Sequence, residues 1–129
     1  MAGAQESVVR SQESARSRFR RPLNIHSFTH MYLSVWEFVI RAECAGEFEA
    51  IYGPRGAWAA LFAKAQGYKQ TQLLRDINNP LRYVTLDVWT SREAHERFRR
   101  EHEPEYMALD EQCERLTVKE HKLGEFLSG

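Results

Sequence analysis

The chain has 129 residues, 43% of them hydrophobic and 28% charged, and its 18 Lys+Arg balance its 18 Asp+Glu to a formal net charge of zero. That length suits one domain, and neutrality speaks against a generic nucleic-acid binder, which carries a basic excess. The longest apolar run, near Met31 to Ile40, is interrupted by Ser34 and Glu37 and falls short of the roughly 18–20 residues a membrane span requires, so neither nucleic acid nor membrane is an expected partner.

Charge is unevenly spread. Residues 1–29 hold Arg10, Arg16, Arg18, Arg20 and Arg21 against Glu6 and Glu13, and are rich in Ser and Gln. Such a segment buries too little to offset its ordering entropy, so residues 1–29 are expected to form a disordered basic extension and residues 30–129 the folded domain. Its Arg and Ser content suits a targeting peptide, but the two Glu and the lack of an apolar stretch after Arg20-Arg21 oppose that reading. A basic arm touching nucleic acid or an acidic partner is the competing function. Met31 opens the first periodic segment, where translation could also begin.

Met31 to Ile40 is rich in β-branched and aromatic residues and reads as a strand apolar on both faces. Glu43 to Tyr52 follows as a helix with Phe48, Ile51 and Tyr52 at helical spacing. Gly53-Pro54 breaks it and starts another, in which Trp58, Leu61, Phe62 and Ala65 form one apolar stripe ended by Gly67. Tyr68 to Asp76 reads as a strand, and Ile77-Asn78-Asn79-Pro80 supplies hairpin chemistry. Leu81 to Trp89 is the clearest strand: Val84, Leu86 and Val88 alternate with Tyr83, Thr85, Asp87 and Trp89. Ser91 stands as an N-cap before a helix whose inner face carries Ala94 and Phe98, and Pro104 interrupts that helix near His102. A further helix places Tyr106, Leu109, Cys113 and Leu116 on one side, and Thr117 to Phe126 reads as a last strand.

The order β-α-β-β-α-β is the ferredoxin-like α+β pattern, an antiparallel sheet with helices on one face. The aliphatic row Val84, Leu86, Val88 is assigned to the helices, which turns Tyr83 and Trp89 to the other side. That side is too apolar for bulk water, and the economical cover is a second copy, giving a homodimer whose sheets face each other around a cavity. Cys44 and Cys113 lack CxxC spacing and a partner His, so they are expected to be small buried or half-buried thiols in a reducing compartment, with the cytoplasm as the default location. His95 and His102 share a helical face, but the flanking Arg, Glu and Pro104 point to a solvated surface rather than a metal site. No nucleophile elbow, phosphate-cradling loop or paired-His zinc motif is present.

The run Phe48 to Trp58, with Leu61-Phe62, Gly67-Tyr68, Leu73 to Asp76 and Arg82 to Ser91, resembles the antibiotic biosynthesis monooxygenase-like proteins of the dimeric α+β barrel superfamily over about residues 31–126. The resemblance implies two chemistries. One is oxygenation of polycyclic phenols without a cofactor, the substrate itself supplying electrons to dioxygen. The other is haem degradation, which in that family uses an Asn on the first strand and a Trp and a His on the second long helix. Here the first strand has no Asn, the Trp place falls near Phe98 and the His place near Ala108, so that set is absent.

Expected, therefore, is a cofactor-free monooxygenase acting on a small phenolic or enolisable aromatic molecule, in a pocket between sheet and helices of a homodimer. By parity, Tyr83, Thr85, Asp87 and Trp89 point away from the helices into the cavity. Glu37 joins them, because a carboxylate in a dry core would cost several kcal/mol unless paired. Glu37 or Asp87 is then the candidate general base, its pKa raised by an apolar setting. Tyr83, Thr85 and Trp89 are the candidate substrate contacts, the two rings stacking on a flat ligand; no metal and no cofactor are called for. The bland alternatives are an ion-pair lattice of Glu37 or Asp87 with Arg75 or Arg82, and Tyr83 and Trp89 as interface filler. The contrasting function is a non-catalytic, small-hydrophobe-binding or stress-associated dimer.

Overall fold

A computed structural model describes residues 30–129; the expectations about residues 1–29 lie outside the described residues. Strand β1 (Tyr32–Ile40) leads through a 3₁₀ turn (Ala42–Cys44) into helix α1 (Ala45–Tyr52) and then α2 (Ala57–Phe62). Strands β2 (Tyr68–Arg75) and β3 (Arg82–Trp89) form a hairpin, α3 (Arg92–Glu101) and α4 (Glu103–Cys113) follow, and β4 (Thr117–Leu127) closes the chain. The four strands lie in the order β2-β3-β1-β4, every pair antiparallel, so the α+β, ferredoxin-like architecture is as the periodicity predicts. No described helix is long and apolar enough to cross a membrane.

Local chemistry explains the joints. The Ser91 hydroxyl accepts from the Ala94 amide at 3.0 Å, satisfying one of the orphan donors at the start of α3. His102 ends that helix, and Pro104 sits in the first turn of α4, where its missing N–H costs nothing. Gly56 is obligatory before α2, since a Cβ there would lie 2.2 Å from the Ile51 carbonyl oxygen. Gly67 carries φ +96 and packs against Ala94, a left-handed conformation that glycine adopts without strain.

The cross-strand register corrects the expected facing of β3. Opposite Tyr83, Thr85, Asp87 and Trp89 stand Phe38, Trp36, Ser34 and Tyr32 of β1, and this row lies under the helices. Trp89 is fully buried with its ring 5.7 Å from Phe62 and 5.4 Å from Phe98, and Tyr83 packs 4.9 Å from Phe48. Val84, Leu86 and Val88 instead share the outer face with Glu37, Val35 and Leu33. Alternation with period two separates two faces without saying which is inside. Burial decides: each large aromatic ring removes roughly 150–250 Å² from water, more than a valine can, so the Trp–Tyr row takes the core.

The core is accordingly aromatic. Phe48 and Tyr52 stack with centroids 4.2 Å apart, and Phe62 meets Phe98 edge-on at 5.3 Å. Phe98 is fully buried at the junction of α2, α3 and the sheet. Phe98→Ala is expected to cost about 3–5 kcal/mol, seen as a lower urea midpoint at unchanged slope; a loss below about 1 kcal/mol would contradict this packing.

Candidate functional site

Between the helix-facing row of the sheet and helices α1 to α4 lies a cavity of about 50 Å³. Its floor is Ser34, Trp36 and Phe38 from β1 with Thr85 and Asp87 from β3. Tyr52, Trp58 and Phe62 from α1 and α2, and Tyr106 from α4, make the aromatic walls. His95 on α3 and two more carboxylates, Asp110 on α4 and the exposed Glu120 on β4, complete the lining. By the measure on which one water needs about 10–15 Å³, this space holds a few waters.

Asp87 is half-buried and lines this cavity. Burial pushes its carboxyl up to about 6, the hydrogen bond from Thr71 offsetting part of the effect. No cation among the described residues stands at ion-pair distance from it. Glu37 differs in its facing and in the charge of its partners. It lies on the outer face, accepting a hydrogen bond from Arg82 Nε at 2.6 Å with Lys119 Nζ 3.4 Å away. The hydrogen bond from Arg82 holds its carboxyl below the usual range, and Arg82 also binds Asp76 at 3.2 Å. Glu37, 8% exposed, is therefore part of an ion-pair lattice on the outer sheet face, and the expectation that it shares a cavity with Asp87 is corrected: the β1–β3 register puts Glu37 opposite Val84 and Asp87 opposite Ser34, on opposite faces.

Of the five residues singled out in the sequence, the cavity brings together Asp87 and Thr85. Tyr83 and Trp89 are core rings outside it; the Tyr83 hydroxyl donates to Glu49, and the two do not form a stacking platform. His95, expected at a solvated surface, is half-buried, with its ring 5.1 Å from Trp89 and 5.5 Å from Tyr32. Burial first, then the charges of Lys122 and Arg99, pushes its pKa down to about 4, so it is neutral at physiological pH. The indole N–H of Trp58 is buried without a well-aligned acceptor, near the Tyr52 hydroxyl and the Cys113 thiol. Burial, and then Asp110 and Glu114, raises the Glu120 carboxyl. Cys113 is buried and Cys44 half-buried, both as free thiols. No group of three or more His, Cys, Asp or Glu among the described residues is arranged to hold a metal ion.

Trp36, Tyr52, Trp58, His95 and Tyr106 were not singled out as site residues. Their signal was present but indirect: Trp36 shares parity with Ser34, the residue across from Asp87, while the helical residues read only as core stripe or surface.

No described element covers the outer face of the sheet. Leu33, Val35 and Val39 of β1 and Val84, Leu86 and Val88 of β3 are half-buried there, flanked by Leu74 at 49% and Phe126 at 53% exposure.

The family model of antibiotic biosynthesis monooxygenase matches residues 31–107. Among solved structures the fold is similar to SnoaB, a cofactor-independent oxygenase from Streptomyces nogalater, at 24% identity and TM-score 0.61, covering 78% of this chain and 95% of that one. A point variant of the same oxygenase aligns at 26% identity and TM-score 0.63, covering 78% and 94%. A conserved protein from Methanosarcina mazei aligns at 15% identity and TM-score 0.58, covering 81% and 99%. No curated protein matches the chain.

Proposed function

Since the chain belongs to the antibiotic biosynthesis monooxygenase family, we propose that it is a cofactor-independent monooxygenase of a small phenolic or enolisable aromatic substrate, with Asp87 as general base. The observation that carries this reading is a carboxylate without a counterion among the described residues, its pKa pushed up to about 6, in the wall of an aromatic cavity. A base poised near the operating pH both remains ionised and removes a proton effectively. The aromatic walls suit a flat ring, and Thr85, a substrate contact in this proposal, offers a hydroxyl beside Asp87. Ser34 and the Trp58 N–H are further donors for a developing oxyanion.

The reaction balances without an external reductant. Asp87 takes a proton from an activated CH₂ or from the hydroxyl of its tautomer, and the resulting carbanion transfers its electron pair to dioxygen. A carbon–oxygen bond forms as a peroxide. The peroxide O–O bond then breaks with loss of the remaining CH proton, leaving C=O and releasing one oxygen as water.

A homodimer belongs to the same proposal. The family relationship supports it, and so does an outer sheet face of Val, Leu and Phe side chains that a second copy would take out of water. In the cytoplasm, the proposed location, such a dimer meets its substrate as a freely diffusing small molecule.

Oxygen uptake with a panel of quinols and anthrones tests the activity. Turnover by the wild type that survives in Glu37→Gln and falls in Asp87→Asn supports the assignment. Equal turnover in Asp87→Asn removes Asp87 as base, and binding of panel members without oxygen consumption favours the sequestering dimer.

A further inference from the structure

We propose that Thr71 is the positioning residue for Asp87: oriented by Tyr68, it engages one carboxylate oxygen and leaves the other to act in the cavity. This rests on the reading of Asp87 as the base, but the hydrogen-bond chain can be tested without turnover.

Thr71 on β2 stands directly opposite Asp87 on β3, so backbone register rather than a flexible reach brings the pair together. Thr71 is 5% exposed, and its Oγ1 donates to Asp87 Oδ1 at 2.7 Å. The same Oγ1 lies 2.8 Å from the Tyr68 hydroxyl. Donor counting fixes the direction. A hydroxyl carries one proton, and an ionised carboxylate only accepts. The Thr71 proton is therefore committed to Asp87, and Tyr68 donates to Thr71. The Tyr68 ring is itself held, 5.4 Å from Trp89 and 5.6 Å from Phe62.

The Asp87 carboxyl receives no hydrogen bond from the remaining described groups around it. Tyr106 and Asp110 face the cavity from α4, His95 from α3, Glu120 from β4 and Ser34 from β1. His95 is neutral at physiological pH, and the Arg99 guanidinium lies over the Tyr106 ring at 3.8 Å. Thr71 thus both favours the ionised form of a carboxyl that burial disfavours and determines which oxygen is free. Oδ2 is the oxygen left to accept a substrate proton.

The test is a carbon-detected NMR titration of the Asp87 carboxyl in the full chain, for wild type, Thr71→Val, Thr71→Ser and Tyr68→Phe. Loss of a hydrogen bond to a charged group is expected to raise the Asp87 midpoint in Thr71→Val by about one pH unit. Thr71→Ser restores the wild-type midpoint, and Tyr68→Phe moves it the same way by less, because the Thr71 hydroxyl regains rotational choice. On a turned-over substrate, the acid limb of kcat/KM follows these midpoints. A midpoint unmoved in Thr71→Val overturns the proposal, as does failure of Thr71→Ser to restore it. Should Thr71→Val not fold, an unmoved midpoint in Tyr68→Phe is decisive against it. Midpoints that shift as expected with no substrate consumed would leave the positioning role standing and remove the base assignment.

Discussion

Asp87→Asn is expected to lower kcat by about 10²–10⁴-fold, the usual contribution of a general base, while making the fold more stable at neutral pH. The sign follows from linkage. Burial raises the Asp87 carboxyl from its ordinary 3.8 to about 6, so between those values the folded protein keeps a proton that the unfolded chain has released. Stability is then fully available below about 3.8 and declines as pH rises through about 6. At pH 7 the charged carboxylate costs the fold up to about 3 kcal/mol. An amide avoids that cost, and the Thr71 hydroxyl can still donate to its oxygen. A gain of about 1–3 kcal/mol at pH 7 amounts to several degrees in melting temperature for a domain of this size, and it should vanish near pH 4. Thermal melts of both proteins at the two pH values check this. A variant that is less stable at both would mean that Asp87 is a structural partner rather than a carboxylate kept under strain for chemistry.

Leu86→Glu is expected to convert the proposed dimer into a monomer with little change in the domain itself. Leu86 lies opposite Val35 at the centre of the outer face, and both are half-buried in the single subunit. A carboxylate there can remain hydrated in the monomer, so the fold should lose under about 1 kcal/mol. In the dimer the same group would be desolvated against apolar side chains, once from each subunit, at several kcal/mol. Dissociation should therefore strengthen by at least about 10³-fold, from the tenfold per 1.4 kcal/mol that links affinity and energy. Sedimentation at micromolar concentration reads the outcome directly. A wild-type protein that already sediments as one subunit would remove the dimer. A Leu86→Glu protein that remains dimeric would place the contact on another surface.

Leu86 also shows how a correct physical premise can attach to the wrong residues. The expectation that one sheet face is too apolar for water rested on Tyr83 and Trp89, yet the face that no described element covers carries Val84, Leu86 and Val88. The alternation was legible; its polarity was not. The Ser91 cap, the break at His102 and the hairpin over 77–80 were legible because each depends on local backbone chemistry. The facing of the candidate site residues was legible only within a strand. Asp87 and Thr85 emerged as a pair because they share parity on one strand, whereas Glu37 was placed with them on the premise that a dry core is the alternative to a cavity. Arg82 and Lys119 provide a third environment, a carboxylate paired on the outer face, and these partners lie far away along the chain.

What the amino-acid sequence determined by itself is the succession of strands and helices, the family and the presence of an apolar sheet face without helices. The succession of elements follows from short-range periodicity, capping and turn chemistry, and the family from the resemblance carried by the runs between Phe48 and Ser91. Tertiary structure alone decided which row of β3 is inside, that Asp87 sits in the cavity while Glu37 is paired outside, and that His95, Trp58 and Tyr106 converge on the same space. The reason is physical. The facing of a strand is settled by the total surface its neighbours can bury, and the acidity of a carboxyl by the groups packed around it, and both are sums over residues distant in the chain.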